Sequence, residues 1–231
     1  MDKYAVIVAG GSGSRMGSTL PKQFMLLQGK PVLWHTLSAF LSAFSDVQII
    51  LVLPEYYIET GQSIISTTTD PNRIQITVGG ETRFQSVKNG LQLIEKKSIV
   101  FVHDGVRCLV TPALIKLCYE TAVEKGNAVP AITAIDSIRI EKDNANSVMD
   151  RAHVRIIQTP QTFLSEFLLK GFEQMYDASF TDEAMVVEKT GVKINLVEGE
   201  VSNIKITTPI DLLIAEKLLE ESATHLPKSS L

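Results

Sequence analysis

Apolar residues in this chain come in short unbroken runs, each closed by turn residues: YAVIVA at 4–9, VQIILVLP at 47–54, IQITV at 74–78, SIVFVHD at 98–104 and GNAVPAI at 126–132. Runs rich in Val and Ile, without polar alternation, suit strands covered on both faces. Between them the period becomes helical. PVLWHTLSAFLSA at 31–43 opens with proline, and RFQSVKNGLQLIEK at 83–96 sets Phe84, Val87, Leu91 and Ile94 on one face. TPALIKLCYETAVEKG at 111–126 starts at Thr-Pro and stops at glycine. Strand alternating with helix predicts an α/β fold: a mostly parallel sheet with helices on both faces.

The rhythm breaks at DSIRIEKDNANSVMDRAHVRIIQTPQ, 136–161. Ile138 and Ile140 alternate there with polar residues and KDNAN carries turn chemistry, predicting a projecting β-hairpin arm over about 136–161. Its open edges need cover by a second subunit or blunting by charge. Helices are predicted near 164–176 and 182–190, a strand at 192–199, and a last helix from TTPIDLLIAEKLLEE. With no repeat or low-complexity segment, residues 1–231 read as one domain carrying that arm.

Composition narrows the class. A hydrophobic content of 45% is enough for a continuous core, and a net charge of −4 with no basic block gives no support to a nucleic-acid surface. No stretch approaches the roughly 20 apolar residues of a membrane helix. The first apolar run follows Asp2 and Lys3 and reads as a buried strand, not a signal sequence. Cys108 and Cys118 form no C-x-x-C pair and no metal spacing with the four histidines, so reduced thiols in a cytoplasm are expected.

The candidate chemistry starts where the first strand meets GGSGSRMG. The dinucleotide pattern G-x-G-x-x-G fails because Gly11, Gly13 and Gly17 are spaced one residue too far. The Walker pattern fails too, since the Gly29-Lys30 pair is followed by Pro31. What remains is either a tight turn or a bared backbone whose N–H groups form an anion-binding concavity. Arg15 and Lys22 place two cations beside it, which suits a triphosphate or a phosphorus centre gaining charge.

AGGSGSRMG followed by LPKQF resembles the signature of nucleotidyltransferases that join a phosphate monoester to a nucleoside triphosphate. Within them the chain is similar to the cytidylyltransferase family of the non-mevalonate isoprenoid pathway, the 2-C-methyl-D-erythritol 4-phosphate cytidylyltransferases. GGETR at 79–83, VHDGVR at 102–107, DS at 136–137, DR at 150–151, QTPQTF at 158–163, TDEA at 181–184 and NIKIT at 203–207 follow in that family's order. The resemblance implies a Rossmann-like fold, attack by a polyol phosphate oxygen on the α-phosphorus of CTP, and release of pyrophosphate. A phosphate monoester is already anionic near neutral pH, so the reaction needs charge neutralisation and alignment but no general base.

The same resemblance implies residue roles. Ala9, Gly10, Gly11 and Gly13 line the CTP phosphates, while Arg15 and Lys22 neutralise the triphosphate and the pentacoordinate phosphorus. Gly80, Glu81 and Ser86 meet base and ribose, with Glu81 standing where many members carry Asp, and Arg83 braces the loop. Asp104 lies beside substrate and metal, Arg107 reaches the substrate phosphate, and Lys205 lies near both cytidine and substrate. Asp at a strand end is otherwise a common loop cap. Ser137 and Arg151 are supplied across a homodimer interface, and Thr181 and Asp182 hold substrate hydroxyls or cap a helix. His103 is expected to be a packed strand residue, and Cys108 an inert neighbour. The family's usual HDAARP reads HDGVRC here, so Gly105, Val106 and Cys108 depart from it. Mg²⁺ is expected with CTP, held mainly by the nucleotide phosphates near Asp104, with no protein cage of metal ligands. Small-molecule substrates are the expected partners, with no nucleic acid and no membrane. The rivals are a ribitol-5-phosphate cytidylyltransferase, a non-catalytic nucleotide-binding module and, least favoured by glycine spacing, a nicotinamide oxidoreductase.

Overall fold

The computed structural model describes residues 1–11 and 20–224. The chain begins with β1 (Asp2–Val8), a small hairpin of β2 (Leu26–Leu27) and β3 (Lys30–Pro31), α1 (Val32–Ala43), β4 (Val47–Leu53), α2 (Ile58–Ile65) and β5 (Ile74–Val78). It continues through α3 (Arg83–Leu91), β6 (Ser98–Asp104), α4 (Pro112–Lys125), β7 (Asn127–Thr133), the arm hairpin β8 (Ile138–Lys142) and β9 (Ala145–Met149), and β10 (Arg155–Ile157). The last elements are β11 (Gln161–Leu164), α5 (Ser165–Phe172), α6 (Glu183–Glu188), β12 (Leu196–Glu198) and α7 (Pro209–Thr224).

The unbroken apolar runs are explained by burial on two faces. Ala5, Ile7, Ile49, Leu51, Ile99 and Phe101 pack with α1, α2 and α4, whereas the alternate residues Val6, Ile50, Val52, Val100 and Val102 pack with α3, α5 and α6. Each of these side chains larger than alanine contributes about 1.5–3 kcal/mol when fully buried. The result is an eight-stranded sheet of order β10-β7-β11-β6-β1-β4-β5, with β12 also on β7. β5, β4, β1 and β6 run parallel, while β11 is inserted antiparallel between β6 and β7. The fold is therefore α/β with a mixed, mostly parallel sheet and helices on both faces.

Local signals set the helix ends. Thr111 Oγ1 accepts from Leu114 N–H at 3.1 Å to start α4, and Gly126 at φ 87° stops it. At α3 the Thr82 and Gln85 side chains cap each other's backbone N–H groups at 3.1 and 3.0 Å. α3 lies close to the sheet because Gly90 has no side chain: a Cβ there would stand 2.7 Å from Val6 Cγ1.

Several expected boundaries move, for local reasons. α3 stops at Leu91 and not near 96, because Leu93 and Ile94 form tighter bonds to the Gly90 and Leu91 carbonyls, yet Ile94 stays buried. α5 likewise stops at Phe172, short of 176. β5 is half-covered since it is an edge strand. β12 is shorter than 192–199 because the Asn127 side chain replaces the ladder before it, donating to the Lys193 carbonyl and accepting from Asn195 N–H. The hairpin itself covers only Ile138–Met149, turning at Asp143 and Asn144 with φ of 51° and 61°. Residues 155–164 return to the main sheet as β10 and β11, where Gln158 N–H bonds the Pro130 carbonyl. α2 and β11 had no sequence prediction.

A histidine is buried at the heart of this sheet. His103 Nε2 donates to the Arg107 carbonyl at 3.1 Å, so Nδ1 accepts from Thr159 Oγ1 at 3.0 Å, and that hydroxyl accepts from Asp104 N–H. Its ring meets Phe40 edge-on at 5.1 Å. Burial outweighs the opposing charge of the adjacent Asp104 and lowers its pKa from 6.5 to about 4. Between those values the unfolded chain takes up a proton that the fold refuses, so stability falls as pH drops through that window. The loss amounts to about 3 kcal/mol. Urea titrations at pH 7 and 4.5 should show this loss in the wild type and a markedly smaller one in His103→Gln; equal losses would remove the assignment.

Candidate functional site

The carboxyl ends of β1, β4, β5 and β6 open onto one cleft of about 760 Å³. Ligands in open α/β sheets bind there, where neighbouring connections run in opposite directions from the central strand. Backbone bonds carry the strand alignment into the lining: Ala9 N–H to the Val52 carbonyl at 3.0 Å, Gly79 to Leu53 at 2.8 Å, and Gly105 to Val8 at 2.9 Å. Gly105 must be small, since a Cβ would approach Ala9 Cβ to 2.9 Å.

Of the residues named from sequence, Ala9, Gly10, Gly11, Lys22, Gly80, Glu81, Ser86, Asp104 and Lys205 all line this cleft. Gly13 and Arg15 lie outside the described residues. Lys22 starts a single 3₁₀ turn, Lys22–Phe24, whose residues are all buried, and Gln23 Nε2 ties that turn to the Ala9 carbonyl at 2.9 Å. Ser86 Oγ accepts from Gly80 N–H at 3.1 Å and donates to the Thr82 carbonyl at 2.9 Å, so it holds the glycine turn against the start of α3. Gly80 has no room for a side chain because a Cβ would sit 2.4 Å from Gln85 Cβ.

Asp104 is the electrostatic centre of the cleft. Its Oδ1 lies 3.3 Å from Arg83 Nη2, and its Oδ2 lies 2.9 Å from Lys205 Nζ and 3.6 Å from Arg107 Nε. Burial by itself would raise the Asp104 pKa, but Arg83, Lys205 and Arg107 outweigh it and hold the carboxyl well below the usual carboxylate range. Arg83 also forms a fork to the buried Glu183 of α6, with Nη2 to Oε2 at 3.0 Å and Nη1 to Oε1. Burial raises the Glu183 pKa even against that partner. Arg83 is thus a brace, but its partners join the end of β6 to α6, where the sequence suggested a brace for the loop. Glu183 was missed: an acid in the first turn of a helix reads as ordinary dipole chemistry.

Five expected residues, Arg107, Ser137, Arg151, Thr181 and Asp182, are not part of this lining. Arg107 points inward, donating from Nη1 to the Asn203 carbonyl at 2.8 Å, and so supports Asp104 and the 203–207 segment. Thr181 is exposed and its hydroxyl donates to Met185 Sδ at 3.1 Å, while Asp182 caps α6 by accepting from Met185 N–H. Ser137 and Arg151 are exposed at the arm, with Arg151 Nη1 on the Ile135 carbonyl at 2.6 Å. Lys205, which does line the cleft, sits in an irregular stretch held by Ile206 N–H to the Val106 carbonyl at 3.0 Å.

Neither cysteine is poised for chemistry. Both are free and buried, and burial pushes each thiol up to about 12. Among the described residues no group of three or more His, Cys, Asp and Glu is placed to hold a metal. Both Asp104 oxygens already face cations, so the donor set does not fit a protein-held divalent ion. No helix among the described residues is long and apolar enough to cross a membrane.

The comparisons agree with this geometry. The profile of the family described as 2-C-methyl-D-erythritol 4-phosphate cytidylyltransferase matches residues 4–221. A relative of that name from Bacteroides thetaiotaomicron is 44% identical over 219 residues, covering 95% of this chain and 100% of its own. The solved 4-diphosphocytidyl-2C-methyl-D-erythritol synthase from Anaerococcus prevotii superposes with a TM-score of 0.82 at 28% identity, over 95% of this chain and 96% of the other. The Thermus thermophilus 2-C-methyl-D-erythritol 4-phosphate cytidylyltransferase gives a TM-score of 0.74 at 30% identity, over 95% and 100% of the two chains. A buried carboxylate ringed by cations at the mouth of a mostly parallel sheet thus belongs to a chain matched over residues 4–221, and the chain belongs to the 2-C-methyl-D-erythritol 4-phosphate cytidylyltransferase family.

Proposed function

We propose that the cleft gathers the CTP phosphates beside Gly10, Gly11 and Lys22, and Gly13 and Arg15, which lie outside the described residues, are assigned to the same phosphates from the sequence. The enzyme transfers the cytidylyl group of CTP to 2-C-methyl-D-erythritol 4-phosphate in isoprenoid precursor synthesis, releasing pyrophosphate. A phosphate oxygen of the polyol attacks the α-phosphorus in line, the bond to the bridging oxygen breaks, and the electron pair leaves with pyrophosphate. The difficulty is repulsion among anions, and the observation that carries the reading is the cationic cleft: Lys22 on one wall and Lys205, held by Asp104, on another. The incoming phosphate is its own nucleophile. Base and ribose are assigned to the Gly80–Glu81 turn and Ser86.

Mg²⁺ is proposed as a companion of the nucleotide phosphates, with no protein carboxylate assigned to it. The arm supports a homodimer: Ile135 and Val148 are 81% and 74% exposed there, and Arg151 and Ser137 stand away from their own chain's cleft. Each arm is proposed to carry Arg151 and Ser137 to the partner's substrate. Arg107 then acts through Asp104, and Thr181 closes the polyol end after leaving Met185. The buried free thiols agree with a cytoplasmic setting.

Pyrophosphate release from CTP and Mg²⁺ should be fast with 2-C-methyl-D-erythritol 4-phosphate and slow with ribitol 5-phosphate; the reverse preference would contradict the assigned acceptor. Lys22→Met and Lys205→Met should each lower kcat by about 10²-fold, the usual loss on removing an aligned charge donor. The rate should rise with pH through about 6, where a phosphate monoester loses its second proton. Asp104 stays ionised there and adds no limb of its own.

Mixing inactive Lys22→Met and Arg151→Ala chains should restore about a quarter of wild-type activity, because each mixed dimer regains one intact site. No recovery in a mixture shown to exchange subunits would place both residues in one chain's site.

A further inference from the structure

The cleft is uneven along its length. Charge gathers around Lys22, Asp104 and Lys205, while Pro54, Tyr56 and Val78 form an apolar wall near the Gly79–Glu81 turn. Tyr56 is the one aromatic residue among the described residues of the lining, and it is 76% exposed, with Val78 43% exposed. The ring is backed from behind. Tyr56 rests on Tyr57 with centroids 4.5 Å apart, and Tyr57 rests on Phe24 at 4.8 Å. Phe24 is 5% exposed in the core and closes the Lys22–Phe24 turn. A chain of rings, tilted by 55° and 59° to one another, thus runs from the core to the cleft lining and ends in the exposed Tyr56 ring.

The chemistry of the ligand decides what that ring can take. Phosphates and polyol hydroxyls gain nothing from an aromatic face, but a pyrimidine ring stacks well on one. We infer that Tyr56 is a nucleotide-binding residue whose ring covers one face of the pyrimidine while the Gly79–Glu81 turn meets the edge of the base. This rests on the reading of the cleft as a CTP site and adds the group that grips the base by its face. Stacking tolerates any base, so selection of cytosine stays with the polar turn.

Calorimetric titration of wild type, Tyr56→Ala and Tyr56→Phe with MgCTP, CMP and pyrophosphate tests the assignment. Tyr56→Ala should weaken MgCTP and CMP by similar factors of about tenfold, the scale of a base–aromatic stack, and leave pyrophosphate binding unmoved. Tyr56→Phe keeps the face and should restore both nucleotides. In turnover the Ala variant should raise KM for CTP while kcat at saturation and KM for the polyol phosphate hold. Equal CTP affinity in wild type and Tyr56→Ala, an equal loss with pyrophosphate, or no rescue by Phe would overturn the assignment. A wild-type protein that binds no CTP would sink the reading of the cleft itself, a different failure.

Discussion

A carboxylate cannot sit buried at the end of a central strand without cations around it, and that demand organises the whole site. Asp104 is 8% exposed and takes Arg83 from α3, Lys205 from the 203–207 segment and Arg107 from its own loop. Glu183 brings α6 into the same network through Arg83. An unpaired buried charge costs several kcal/mol, so none of these segments can drift without exposing the others to that cost. Segments far apart in the chain are thereby held to one geometry before any nucleotide arrives. Preorganisation of this kind is what phosphoryl-type transfer requires, since solvent would otherwise have to reorient as charge moves.

The network also explains which groups stay out of the chemistry. His103 adjoins Asp104 in sequence, yet both ring nitrogens are engaged and its lowered pKa keeps it neutral. It orders the backbone beneath the site by linking Thr159 and the Arg107 carbonyl. Cys108 belongs to the small core under α7, with Leu27, Val32 and Ile206, and its departure from the family pattern is a packing matter. The proposed reaction asks nothing of either group, since its nucleophile arrives already charged.

Much of this was legible in the residues. Unbroken apolar runs betrayed strands covered on both faces, and Phe84, Val87, Leu91 and Ile94 betrayed a buried helical stripe that persists past the end of α3. Thr111 and Gly126 bounded α4 as capping chemistry requires. What stayed hidden depended on tertiary contact. α2 is only Ile58–Ile65 and carries Gly61, where a Cβ would meet Leu53 Cδ1 at 2.4 Å; close packing, not propensity, makes it a helix. β11 reads as a loop near Pro160 until β6 and β7 flank it. Arg107 and Arg83 both flank Asp104, and only their other partners, a main-chain carbonyl in one case and Glu183 in the other, tell their roles apart. Glu183 lay inside the TDEA motif, but nothing in the sequence tied it to Arg83.

The central claim is that the ring of cations around the strand ends receives the nucleotide's tail. A crystal structure with a non-hydrolysable CTP analogue and 2-C-methyl-D-erythritol 4-phosphate tests it most directly. The account predicts the α-phosphorus between Lys22 and Lys205, with Asp104 still bound to Arg83 and the polyol phosphate in line with the leaving oxygen. A triphosphate lying outside this cleft, or an α-phosphorus remote from both lysines, would contradict it.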